Sequence, residues 1–199
     1  MNGRGLAAWL ALACVCVVRA VAQPVHYRLD PAHTRVEFSV VHLGVLRAEG
    51  RFTQATGTVV YDAAEQDGRI GLDVTGESVS TGWTLRDSFL RGESMFDVEH
   101  HPVVRFRSTH LVFAAGRLAQ VEGELTLRGV TRPVTLAVTG MDCPADRARC
   151  TAHVDGSLRR RDFGMDFGWP LIGDDVALSF TIVAVRDEAV AAPRPAPTQ

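Results

Sequence analysis

Read for polarity alone, most of the chain alternates. In RVEFSVVHL, Val36, Phe38, Val40 and His42 share one face while Arg35, Glu37 and Ser39 share the other. That is the two-residue period of a strand with one side turned to a core. GRFTQATGTVVYD continues with a second extended run, and RIGLDVTGES sets Ile70, Leu72 and Val74 on one face. In VVRFRSTHLVF, Val104, Phe106 and Ser108 alternate with Arg105 and Arg107, and DVALSFTIVAVR places Val176, Leu178, Phe180 and Ile182 against polar neighbours. GRLAQVEGELTLRG, RPVTLAVTG and CTAHVDGSLRR bring the total to about eight strands. Turn signals fall at Asp67–Gly68, Ala115–Gly116, Arg128–Gly129 and Gly173–Asp174. Strands of this length joined by short turns predict an antiparallel barrel or sandwich.

One segment departs from the period. In TLRDSFLRG, Leu85 and Phe89 lie four apart, as do Arg86 and Leu90, and Gly92 follows where a helix would stop. Thr84 with Asp87 three residues on resembles a capping box. The spacing predicts a short helix over 84–91 and a connector, MFDVEHHP, that enters the next strand with Phe96 and Val98 packed inward.

The ends are of another kind. A short cationic start, the 13-residue apolar run LAAWLALACVCVV and the small-residue stretch Ala20-Val21-Ala22 read as a secretory signal peptide over residues 1–22. The apolar run is too short for an ordinary membrane-spanning helix. Residues 23–188 then form one domain, and AAPRPAPTQ belongs to a disordered tail over 189–199. An exported, periplasmic protein is the expectation. All 21 basic residues are arginine; without Arg4 and Arg19, 19 of them face 23 carboxylates. A mildly acidic chain with no basic block does not suit nucleic acid. Cys14 and Cys16 leave with the signal, and Cys143 and Cys150, flanking the six residues PADRAR, are expected to form a disulfide that pins a hairpin.

Chemistry is sparse. LRDSFLRGESMFDVEHHP is rich in acid and histidine, yet adjacent His100 and His101 point apart in an extended segment, and Asp97 with Glu99 lacks a third ligand. The connector reads as a lid or hinge, with no metal site. No G-x-S-x-G, H-E-x-x-H or glycine-rich phosphate loop occurs, so neither catalytic residues nor a cofactor are expected.

STGWTLRDSFLRGESMFDVEHHPVVRFRST resembles the signature region of the YceI-like, polyisoprenoid-binding family. LDPAHTRVEFSVVHLG, GRFTQATGTVVYD, GELTLRGVTRPVTL and the closing strands resemble its other blocks in order, over residues 27–186. The resemblance implies an eight-stranded antiparallel lipocalin-like β-barrel that is exported and holds an isoprenoid amphiphile, a polyprenyl phosphate or a quinone, for transport or storage. The bridged hairpin, the basic RRRDFG and the loop GMDFGWPLIGDD depart from the family pattern and bear on ligand identity rather than fold. The ligand-contacting set expected in this sequence is Phe38, Val40, His42, Arg86, Leu90, Phe96, Val104, Phe106 and Phe180. Among them the His42 imidazole and the Arg86 guanidinium are the candidates for a head group, and Arg91 and Arg159–Arg161 are read as solvated. Two alternatives stand beside this reading: an enzyme acting on a lipid or quinone in the same cavity, and a structural stress-response barrel with a filled core. A homodimer and a transient membrane contact are further partner expectations.

Overall fold

The structure, a computed structural model, describes residues 24–62 and 65–188. The expected signal peptide and tail lie outside the described residues. Eleven strands form one antiparallel sheet: β1 (Val25–Leu29), β2 (Arg35–His42), β3 (Leu46–Phe52), β4 (Ala55–Asp62), β5 (Asp67–Thr75), β6 (Val79–Ser80), β7 (Val103–Ala114), β8 (Arg117–Leu127), β9 (Val130–Asp142), β10 (Arg149–Arg159) and β11 (Ile172–Arg186). The order β1-β4-β5-β7-β8-β9-β10-β11 closes on itself through β1–β11 pairing, which makes an eight-stranded barrel without free edges.

The other three strands continue walls of that barrel. β11 is long enough to carry β1 opposite residues 184–186 and β2 opposite 172–181. The chain breaks between β1 and β2 at Asp30–Thr34, where the Asp30 carboxylate accepts from the Ala32 amide and pairs with His33 and Arg149. β3 and β4 are likewise one wall broken at Thr53–Gln54, and a 3-10 turn (Gly76–Ser78) separates β5 from β6. Beyond Thr75 and Val103 the neighbouring walls part, and a helix α1 (Thr84–Arg91) with the connector 92–102 stands between them.

The turns follow from backbone chemistry at two places and depart from expectation at two others. Ala115–Gly116 and Arg128–Gly129 each have two successive positive φ angles, 50° and 75°, then 52° and 72°. That is the tight-hairpin geometry that matches the twist of paired strands. Gly173–Asp174 is no turn but lies inside β11, and Asp67–Gly68 begins β5, the positive φ falling on Gln66 instead.

The helix spans the expected residues, but Thr84 does not cap it. The buried Asp87 carboxylate instead reaches back to accept from the Thr81 amide (2.7 Å) and hydroxyl (2.5 Å), which holds its pKa below the usual carboxylate range. Arg91, expected in solvent, donates to the carbonyls of Glu77 and Val79 and so fastens α1 to β6. Arg160 is the larger departure. Expected in a solvated cluster, it is only 2% exposed and donates to the carbonyls of Gly173, Ile172 and Met165.

Candidate functional site

The inward faces of the barrel enclose a cavity of about 750 Å³, within the range of pockets that hold a small organic ligand, about 300–1,000 Å³. Its walls are aliphatic: Leu72, Leu125, Leu136 and Leu178 come from four different strands. The same alternation that predicts the strands supplies this lining, because every second side chain of a barrel strand points inward. The Phe106 ring packs over Gly123. A β-carbon there would be 2.5 Å from the Arg107 carbonyl oxygen and 2.6 Å from the ring, so only glycine leaves room for the aromatic.

One end is shut by aromatics. Phe38, Phe52 and Phe96 meet with centroids 5.6, 6.0 and 5.3 Å apart, two of the three pairs edge-to-face, a favoured arrangement of ring quadrupoles. Phe96 arrives from the connector, whose fold explains its acidic, histidine-rich sequence. Its amide donates to Leu90, Asp97 adopts φ 49°, and Arg128 donates to the Met95 carbonyl. His100 Nδ1 lies 2.8 Å from the Asp97 carboxylate and His101 Nε2 lies 3.8 Å away. The two imidazoles therefore turn toward one carboxylate rather than to opposite faces, because this stretch is a turn and not a strand. The interaction lowers the pKa of Asp97 and raises that of His100. Among the described residues no group of three His, Cys, Asp or Glu side chains could hold a metal ion.

The other end is the mouth. There the cavity is lined by Ala114, Gly116 and Arg117 of the β7–β8 hairpin and by Met141, Cys143, Arg147 and Cys150 of the β9–β10 hairpin, most of them exposed. Cys143 and Cys150 are joined by a disulfide across this second hairpin. The mouth is thus opposite to the end covered by α1 and the connector.

Of the expected ligand-contacting residues, Phe38, Phe96, Val104, Phe106 and Phe180 line the cavity; Val40, His42, Arg86 and Leu90 do not. Val40 and His42 lie opposite Ala48 and Leu46, in the β2–β3 hairpin that runs on past the enclosed interior. Arg86 donates to the Thr81 hydroxyl and carbonyl and stacks on Trp83, 5.7 Å from its ring centroid. Five polar lining residues were missed: Tyr27, Tyr61, Arg117, Thr139 and Arg147. Tyr27 continues the inward alternation with Leu29 in a strand too short to read, while Arg117 opens a run read as a strand with no inward face assigned and Arg147 sits in the loop between the two cysteines.

Exposed apolar side chains gather outside the closed end. Leu43 and Leu46, Leu85 and Phe89, and Phe167 and Leu171 come from the β2–β3 hairpin, α1 and the β10–β11 loop. The three segments touch through the Leu43 amide on the Leu171 carbonyl and the Phe89–Phe167 ring pair, 4.8 Å apart.

A closed eight-stranded barrel around one apolar cavity defines a lipocalin-like architecture. The chain belongs to the YceI-like family, whose domain matches residues 27–184. It is 29% identical to a UPF0312 protein of Pseudomonas aeruginosa over 183 residues, covering 89% of this chain and 95% of that one. Its fold is shared with the crystal structure of Burkholderia cenocepacia BcnA (TM-score 0.67, 23% identity, 79% of this chain and 99% of that one). It is also similar to a polyisoprenoid binding domain from Saccharophagus degradans implicated in plant cell wall breakdown (TM-score 0.64, 16% identity, 82% and 99%).

Proposed function

We propose that the protein sequesters an isoprenoid amphiphile inside the barrel, tail first, and carries or stores it without chemical change. The observation that carries this reading is the apolar cavity of about 750 Å³ with aromatics at one end and exposed hairpin residues at the other. Moving a hydrocarbon tail out of water is worth roughly 0.8 kcal/mol per methylene, so a dozen methylenes contribute on the order of 10 kcal/mol before ordering costs. The polyisoprenoid-binding name of the Saccharophagus degradans domain supports the choice of tail. The Cys143–Cys150 bridge suits an oxidising compartment such as the periplasm.

The alternatives fare less well. A filled structural core is at odds with a cavity of this volume. The enzyme reading relied on His42 as an internal titratable group, and His42 stands outside the cavity. The apolar surface outside the closed end is where a transient membrane contact or a second copy of the chain would be accommodated. The test is native mass spectrometry of protein purified gently from the periplasmic fraction, followed by solvent extraction. A stoichiometric isoprenoid supports the carrier; a bare polypeptide mass that persists after incubation with polyprenyl and quinone lipids overturns it.

A further inference from the structure

Polarity is distributed unevenly along the cavity. Every charged side chain lining it is an arginine, Arg117 or Arg147, and both stand at the mouth. Among the described residues no carboxylate lines it. Neither guanidinium has a hydrogen-bonding or ion-pair partner among the described residues, whereas Arg91, Arg105, Arg107, Arg149, Arg159 and Arg161 are each paired with a carboxylate. The tyrosines that line the cavity stand at the same end. Tyr27 lies opposite Arg186, the last residue of β11, and Tyr61 lies opposite Val25 at the start of β1. Their hydroxyls have no partner among the described residues. Tyr61 is held by stacking on Phe113, centroids 6.2 Å apart. At the far end the lining is Phe38, Phe52, Phe96 and Met165, with nothing charged.

We propose that this mouth selects an anionic head group: Arg117 and Arg147, with the Tyr27 and Tyr61 hydroxyls behind them, hold the phosphate or carboxylate of a single-chain amphiphile whose tail runs to the aromatic floor. The proposal rests on the carrier reading and narrows it, favouring a charged head over the neutral head of a quinone. Guanidinium groups donate paired hydrogen bonds to phosphate and carboxylate oxygens, and such charge-assisted bonds are about twice as strong as neutral ones. A neutral carbonyl or alcohol could accept from the tyrosines or the guanidinium groups but would bring no charge to balance the two cations, leaving only the weaker, uncompensated hydrogen bonds.

The test compares lipids of equal tail and different head on the mature, disulfide-bonded protein: farnesyl phosphate against farnesol, and palmitate against hexadecanol. Affinities are measured by titration at low and at high salt. The expected result is at least about tenfold tighter binding of the anion in one or both pairs, shrinking as salt rises. In the double variant Arg117→Gln, Arg147→Asn the preference should fall to within about twofold while the neutral lipid binds as before. Both side chains are exposed, and asparagine tolerates the φ of 51° at position 147, so the variant keeps the fold. Equal affinity for anion and alcohol in the wild type, or an undiminished preference in the variant, overturns the anionic mouth and leaves the carrier intact. Failure of all four lipids to bind overturns the carrier reading, and this inference with it.

Discussion

Replacing Arg160 with methionine removes the one guanidinium that is buried among the described residues. The side chain closes the floor of the barrel by donating from Nε to Gly173 (2.8 Å), from Nη2 to Ile172 (2.9 Å) and from Nη1 to Met165, all main-chain carbonyls. These bonds tie the turn after β10 to the loop that brings Met165 against the cavity. Burial pushes the Arg160 pKa down, Asp174 and Asp166 pull it back up, and the group stays charged. Methionine fills much the same volume but donates nothing, so up to three acceptors lose their partner at about 1–3 kcal/mol each. Relief of the buried charge returns part of this, and the net loss expected from the carbonyls left without a donor is about 3–5 kcal/mol. For a domain of this size each kcal/mol moves Tm by about 2–4 °C, a fall of roughly 6–20 °C. Urea unfolding of the lipid-free protein, followed by the fluorescence of Trp83 and Trp169, gives the free energy directly. Arg160→Lys should recover only part of the loss. A change below about 1 kcal/mol in Arg160→Met would show that the three carbonyls find other partners and that the floor does not depend on this side chain.

Other outcomes follow from the same geometry. Leu72→Trp builds bulk into the cavity from a central strand and should weaken retention of an isoprenoid at least about tenfold, for an overpacking cost of about 1–3 kcal/mol; unaltered capacity in a lipid titration would place the ligand elsewhere. His42→Ala should leave retention unchanged, because the imidazole lies outside the cavity, and a large loss in the same titration would contradict that placement. Replacing Cys143 and Cys150 by serine opens a small loop and should lower unfolding stability by at most roughly 2–3 kcal/mol, with the barrel intact by circular dichroism. His100→Gln probes the connector. Asp97 raises the His100 pKa, so the stabilisation is full below the ordinary histidine value of about 6.5 and is lost as pH climbs through the raised value. Asp97 is shifted the other way, so its share persists above the usual carboxylate range and is lost only in stronger acid. The Tm difference between wild type and variant should therefore be widest near about pH 5–6 and shrink toward pH 9; a gap independent of pH would sink the pairing.

Sequence reasoning reached the barrel because its walls alternate and its hairpins carry their own turn chemistry. Val36, Phe38, Ile70, Leu72, Val74, Val104, Phe106, Leu178 and Phe180 share an inward face by period alone, and all line the cavity. His42 and Val40 show the limit of that argument. Alternation gives the phase of a side chain but not how far along a strand the opposite wall extends, and β2 outruns the interior. Arg86 was matched to a head group by proximity of a helix to a barrel end, yet Thr81 and Trp83 satisfy it locally. Arg160 stands between two arginines that face solvent, and no local pattern separates the buried one from its neighbours. The mouth residues Arg117 and Arg147 lie in hairpins whose place at one end appears only when β7–β8 and β9–β10 are closed into a ring.

The most direct measurement is photocross-linking with a farnesyl phosphate that bears a diazirine at the tail terminus, with the labelled residues mapped by peptide mass spectrometry. Labels on Phe38, Phe52, Phe96 or their neighbours on the cavity floor are the expected result, with the head left at the hairpin mouth. Labels confined to Trp83, Leu85, Trp169 and Leu171 on the outer surface would contradict binding inside the barrel.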